Sequence, residues 1–271
     1  MKPNRMHGQA PYAVAWNLIP LLAGVVDPLL GVLGKLATIF WWPGLPRRAD
    51  SPRRRRRGLA IIVGGIEGPS IYNYAMGLGV LRGRYRGAVV RFPWNAGLFG
   101  VRSVVNLMSR VHQERQSALL AEAIVSHAKH YPQSPICLLA QSGGCWIVIR
   151  ALEKLPQDTS IASAVLLAPS VAPGYDITRA ASKCRDGLMS IGGIGDFVFL
   201  GAGTILLGTS DRVFTPAAGL VGWHHHPPSF VEARWHPSWT RFGYFGNHIS
   251  TSSVPFIRNV IAPAFRKAAR R

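Results

Sequence analysis

Apolar and polar positions fall into three regimes along the 271-residue chain. From about residue 10 to 44, apolar residues run with few interruptions: AVAWNLIPLLAGVV, then Asp27-Pro28, then LLGVLGKLATIFWW. From Leu45 to Arg57 they give way to proline and seven arginines, five of them consecutive from Arg53 to Arg57. From Gly58 onward, short β-rich runs alternate with helical stretches. Strands are predicted at LAIIVGG (59–65), AVVRF (88–92), ICLLAQ (136–141), AVLLAP (164–169), GLMSIG (187–192) and near Val231 to Trp235. Helices are predicted at Ile71 to Leu81, Val101 to Tyr131, Gly144 to Leu155 and Val254 to Arg271. Such alternation predicts an α/β domain, a mostly parallel sheet flanked by helices, preceded by hydrophobic N-terminal helices. The chain therefore divides into a hydrophobic membrane-associating segment (1–44), a Pro/Arg-rich basic linker (45–57) and a catalytic-sized α/β domain (58–271).

The first segment fits several environments. A spanning helix needs about 20 apolar residues, whereas Ala13 to Val26 supplies 14 before Asp27-Pro28 interrupts. A secretory h-region has this length, but no small-x-small cleavage site follows and the arginines oppose translocation. A helix pair broken by proline, lying in the interface or re-entering the bilayer, fits best, with Trp16, Trp41 and Trp42 at the boundary. The same pattern also suits two hydrophobic helices packed on the domain. Were the segment to span, the arginines would put the catalytic domain on the cytoplasmic side.

Charge sharpens the expectation of a membrane partner. The chain carries 31 Lys+Arg against 12 Asp+Glu, a net of +19, which favours anionic partners. An arginine run beside an apolar segment suits anionic lipid, at about 1 kcal/mol per basic residue near the surface. Nucleic acid is disfavoured: no aromatics interleave with the arginines and no recognition motif follows. The three cysteines, Cys137, Cys145 and Cys184, have neither disulfide-framework nor metal spacing and read as small core residues.

The densest chemical signal is LLAQSGGCWIVIRALEKL, where a buried strand runs into Ser142 and a helix follows at once. A nucleophile elbow needs that context, with small residues two before and two after the serine; here they are Ala140 and Gly144. A serine hydroxyl needs a base oriented by a third group. His248, in a loop between the last strand and the last helix, is placed for the base. Asp196 in GGIGDFVFLG is placed for the acid, with Asp176 and Asp211 as rivals. An oxyanion hole would draw on the N–H of Gly143 and on the glycine-rich turn GGIEGPS, through Ile66 or, failing that, Glu67. That turn has neither phosphate-loop nor dinucleotide spacing. The run His224-His225-His226 lacks a partner ligand at metal spacing and reads as an exposed or pocket-lining loop.

GGIEG, AQSGG, GDFVFL and GNHISTSSVPFIRNVIAP together resemble the α/β-hydrolase superfamily, over about residues 58 to 271. LLAPSVAPGYDI and FLGAGTILLGTSD resemble bacterial hydrolase-like proteins with hydrophobic N-termini. The resemblance implies Ser142 as nucleophile, Asp196 as acid, His248 as base, and Ile66 with Gly143 as oxyanion donors. The chain departs from the pattern at Ala140, where the elbow usually has glycine, and at Gly64, where many relatives carry histidine. The expectation is a serine hydrolase acting on an ester or thioester with an apolar acyl group through an acyl-enzyme, with no metal or organic cofactor; acyl transfer uses the same residues. Its rival is a non-catalytic membrane-associated binding protein on the same scaffold. The apolar stretch between Gly195 and Trp223 suits either a flap over the site or a buried connection.

Overall fold

The computed structural model describes residues 10–40, 44–95 and 106–270, with side chains from Leu18 to Thr38 in the first stretch. The expected interfacial placement of Trp16, Trp41 and Trp42, and residues 101–105 of the predicted long helix, lie outside that description.

Six parallel strands form one sheet: β1 (Leu59–Val63), β2 (Ala88–Arg91), β3 (Ile136–Gln141), β4 (Ser163–Leu167), β5 (Leu188–Gly192) and β6 (Phe230–Arg234), in the order β2-β1-β3-β4-β5-β6. The central strands read as unbroken apolar runs because both faces are covered. Leu59, Ile61 and Val63 of β1 point to one face, where Leu120 and Ile124 of one helix (Arg110–His130) and Ile147 of another (Gly143–Lys154) meet them. Ala60 and Ile62 point to the other, against Met76 and Val80 of the helix Ile71–Arg82 and Phe256, Ile257 and Phe265 of the C-terminal helical run. That run, predicted as one helix, contains a wider turn at Ile257–Ile261 before it resumes at Ala262–Ala268. All three cysteines are buried.

One expectation is corrected at the N-terminal side. The apolar segment is one helix, α1 (Ala10–Phe40), and not a pair: it runs through Pro20 and Pro28. An internal proline removes one hydrogen bond and crowds the preceding turn, but packing on the domain outweighs that local cost. Asn247 Nδ2 and Tyr72 Oη donate to the Ala23 and Leu30 carbonyls on either side of Pro28. The helix comes close because glycines face each other: a Cβ on Gly24 would stand 2.1 Å from the Gly195 carbonyl oxygen. Its opposite face is bare, with Leu22, Val25, Leu29 and Val32 all 58–68% exposed. Within α1, residues Leu18–Thr38 are long and apolar enough to cross a membrane.

The basic segment, expected as a linker, is laid on the domain. Ser51 caps a helical turn at Pro52–Arg55, Arg54 donates to the Gly87 and Tyr85 carbonyls, and Arg55 pairs with Asp50. Arg53, Arg56 and Arg57 remain exposed.

Candidate active site

In an open parallel sheet, the crevice forms at the carboxyl ends of the strands, where neighbouring connections leave in opposite directions. Here β2 and β3 flank β1, so the crevice opens between the turn after β1 and the turn after β3, and the latter carries Ser142.

Ser142 sits at φ 53°, ψ −128°, between the last residue of β3 and the first of the helix Gly143–Lys154. A non-glycine residue at positive φ costs about 1–3 kcal/mol and persists only where its surroundings hold it. The hold is visible: Ser142 N–H donates to the Leu167 carbonyl at 2.9 Å, and the Ser142 carbonyl accepts from Cys145 and Ser170. Gly144 is required because a Cβ there would lie 2.2 Å from the Gly64 carbonyl oxygen. Ala140, the departure from the usual glycine, is fully buried in the core.

The turn after β1 is held by its carbonyls. Gly64 O accepts from Trp94 Nε1 at 2.8 Å, Gly65 O from Asn95 Nδ2 at 2.7 Å, and Ile66 O from Asn106 Nδ2 at 3.0 Å. In a planar trans peptide, the carbonyl of Gly65 and the N–H of Ile66 point opposite ways, so the Asn95 bond fixes the direction of the Ile66 N–H. That nitrogen lies 3.8 Å from where a Cβ on Gly143 would stand, and Ser210 Oγ lies 3.6 Å from the same point. The two expected oxyanion donors are thus neighbours. The Ser210 hydroxyl, buried and without a partner among the described residues, borders them.

Asp196 and His248 meet directly: His248 Nδ1–H donates to Asp196 Oδ2 at 2.6 Å. Burial raises the Asp196 carboxyl above its ordinary value, opposed by His248. His248 is raised above 6.5: burial works against its charged form, but Asp196, Asp27 and Glu67 together outweigh it. The Phe199 ring lies beside the imidazole, with centroids 5.0 Å apart. No hydrogen bond links the Ser142 hydroxyl to His248 among the described residues; in ligand-free sites this bond is often long and tightens around substrate.

The rival acids are elsewhere. Asp176 is exposed and caps Thr178, while Asp211 accepts from the Ala172 N–H. His224, His225 and His226 are exposed, and His226 bonds Glu232 at 2.8 Å. The stretch after Gly195 forms two helical turns, Val198–Gly203 and Thr204–Leu207; Leu200 is buried beneath them, and Ile205, Leu206 and Leu207 face outward.

Three positioning contacts escape the motif reading. Gln141, one residue before the serine, donates through Nε2 to the His248 carbonyl at 3.1 Å and to Thr251 Oγ1 at 2.9 Å. Asn95 orients Ile66. Asp27, on α1, accepts from the turn that carries His248. Only Asp27 left a trace in the sequence, as the one acid in an apolar run.

The layout is that of the α/β-hydrolase fold: a parallel sheet, serine at the β3 elbow, acid after β5 and histidine after β6. No protein-family model matches the chain, and no curated protein matches it. Among solved structures, Aspergillus fumigatus lipase B is similar at 12% identity over 81% of this chain and 54% of its own, TM-score 0.46, so the chain spans about half the length of that lipase. RedJ, a thioesterase from the prodiginine biosynthetic pathway in Streptomyces coelicolor, is similar at 12% identity over 80% of this chain and 99% of its own, TM-score 0.34.

Proposed function

We propose that the chain is a serine hydrolase that cleaves an ester or thioester of an apolar acyl group. The observation that carries this reading is the strained Ser142 elbow beside a His248–Asp196 pair bonded at 2.6 Å. In the proposed reaction, His248 Nε2 takes the proton of Ser142 Oγ as that oxygen attacks the acyl carbonyl carbon. The oxyanion formed is stabilised by the N–H groups of Gly143 and Ile66, fixed before substrate arrives. Collapse breaks the bond to the alcohol or thiol, which leaves with the proton from His248. Water, deprotonated by the same imidazole, then releases the acid and restores Ser142. Asp196 keeps the Nδ1–H tautomer and stabilises the imidazolium as it forms. The preference for an apolar acyl group is supported by Ile66, which borders Gly143, and by Phe199, which lies beside His248.

We also infer that the bare face of α1 lies on an anionic lipid surface. Its exposed leucines and valines, the +19 charge and the exposed Arg53, Arg56 and Arg57 support this. A flat orientation is favoured over a spanning one. From Pro20 to Thr38, about 27 Å at 1.5 Å per residue, α1 lies along the domain, and spanning would carry that side of the domain into hydrocarbon.

Hydrolysis of p-nitrophenyl esters and acyl thioesters of rising chain length tests the activity. The wild type is expected to turn over medium or long acyl chains, with Ser142→Ala slower by roughly 10⁴-fold or more. Equal rates in the two proteins would remove Ser142 from the chemistry.

A further inference from the structure

The apolar N-terminal helix carries one acid, Asp27, and the domain buries it: the residue is 1% exposed. An ionised carboxylate is costly to bury unless hydrogen bonds replace its water, and a helix that only had to seat or anchor the domain would do better with an apolar residue there. The partners of this carboxylate are selective. All three are N–H donors from consecutive residues: Asn247 Nδ2 at 2.5 Å, the backbone N–H of His248 at 2.7 Å and that of Ile249 at 3.2 Å. The middle one belongs to the histidine bonded to Asp196.

Three elements therefore fix His248, each at a different point. Asp27 holds its N–H from α1. Gln141, at the end of β3, holds its carbonyl at 3.1 Å, and Thr251 Oγ1 holds the same carbonyl at 2.7 Å. Asp196, after β5, holds its ring at 2.6 Å. Without the Asp27 carboxylate, the backbone N–H groups of His248 and Ile249 would lose their acceptor.

We propose that Asp27 is a positioning residue for the catalytic base, so that the apolar helix is a working part of the active site and not only its anchor. This rests on the serine-hydrolase reading. Asp27 acts on His248 in two ways: it fixes the backbone from which the imidazole reaches toward Ser142, and its negative charge favours the imidazolium formed when the base takes the proton. The other ionisable groups near His248 are Asp196 and Glu67, with Lys35 beside Glu67, Tyr72 beside Asp27, and Tyr244 beside Asp196.

The test uses full-length protein in detergent micelles and measures the rate of fluorophosphonate labelling of Ser142 against pH in wild type, Asp27→Asn and Asp27→Glu. Asn matches Asp in shape but turns an amide N–H toward donors and removes the charge. Folded Asp27→Asn is expected to label on the order of 10²-fold more slowly, the scale of a misplaced reacting group. Its pH midpoint should lie below that of the wild type, because one acid that favours the protonated imidazole of His248 is gone. Asp27→Glu should recover part of the rate and keep the midpoint. A slower rate with an unmoved midpoint would mean a packing role only and would overturn the proposal, as would a folded Asp27→Asn with wild-type rate. Should Asp27→Asn fail to fold, the smaller neutral Asp27→Ser takes its place under the same two criteria: slowed labelling with a lowered midpoint supports the proposal, and an unmoved midpoint or an unchanged rate overturns it. A wild type that does not label at all would overturn the hydrolase reading and this proposal together, whereas labelling of the wild type with no effect of Asp27 overturns this proposal alone.

Discussion

At the scale of single residues, the site depends on backbone positions that tolerate little substitution. Ser142 is held at positive φ, and the room for that conformation comes from Gly144. Gly144→Ala would drive a methyl group into the Gly64 carbonyl and push β1 away from the elbow. Overpacking of this kind costs about 1–3 kcal/mol, so a lower thermal unfolding midpoint and a much reduced esterase rate are expected; a wild-type midpoint and rate would show that the elbow has slack. A second expectation concerns pH. In the proposed reaction His248 acts as a base only when neutral; burial disfavours its charged form, but Asp196, Asp27 and Glu67 together outweigh burial and leave its pKa raised from 6.5. The kcat/KM profile should therefore reach half its plateau above pH 6.5 and fall as pH drops and the imidazole takes up a proton. A half-maximum below 6.5 would mean that burial of the imidazole outweighs those carboxylates.

At the scale of elements, α1 has two unlike faces, to which the proposals above give two tasks. The inner face carries Gly24, Asp27 and Gly34 against the domain; the outer carries Leu22, Val25, Leu29 and Val32. Replacing those four by Gln should abolish flotation with vesicles containing anionic lipid while leaving hydrolysis of a soluble short-chain ester within about twofold, since surface changes away from the packed face cost little stability. Flotation unchanged in that variant would remove the lipid surface as partner. Proline misled the reading of this element: Pro20 and Pro28 carry the local signature of breaks, and only tertiary contacts from Asn247, Tyr72 and the glycine pair show why the helix continues. The arginine run was similarly opaque. Its charge is plain in sequence, but that Arg54 spends its donors on the Gly87 and Tyr85 carbonyls depends on a strand edge some 30 residues away.

At the scale of the whole molecule, the sheet was legible because β1, β3, β4 and β5 are apolar runs of strand length separated by helical stretches, which leaves few topologies open. The serine was legible for a local reason: strand, small residues and helix are contiguous in the chain. Asp196 and His248 could be placed only by order, and their 2.6 Å bond spans 52 residues. The supporting contacts are longer in range still, at 107 residues for Gln141 to His248 and 221 for Asp27 to His248, beyond any motif. What unites the scales is one claim, that Ser142 is an activated nucleophile. Fluorophosphonate treatment of the purified full-length protein, with the adduct located by peptide mass spectrometry, tests it most directly. A stoichiometric adduct on Ser142, abolished in His248→Ala, is the predicted result. Folded wild-type protein that remains unlabelled, or is labelled elsewhere, would contradict it and leave a hydrolase scaffold used for binding.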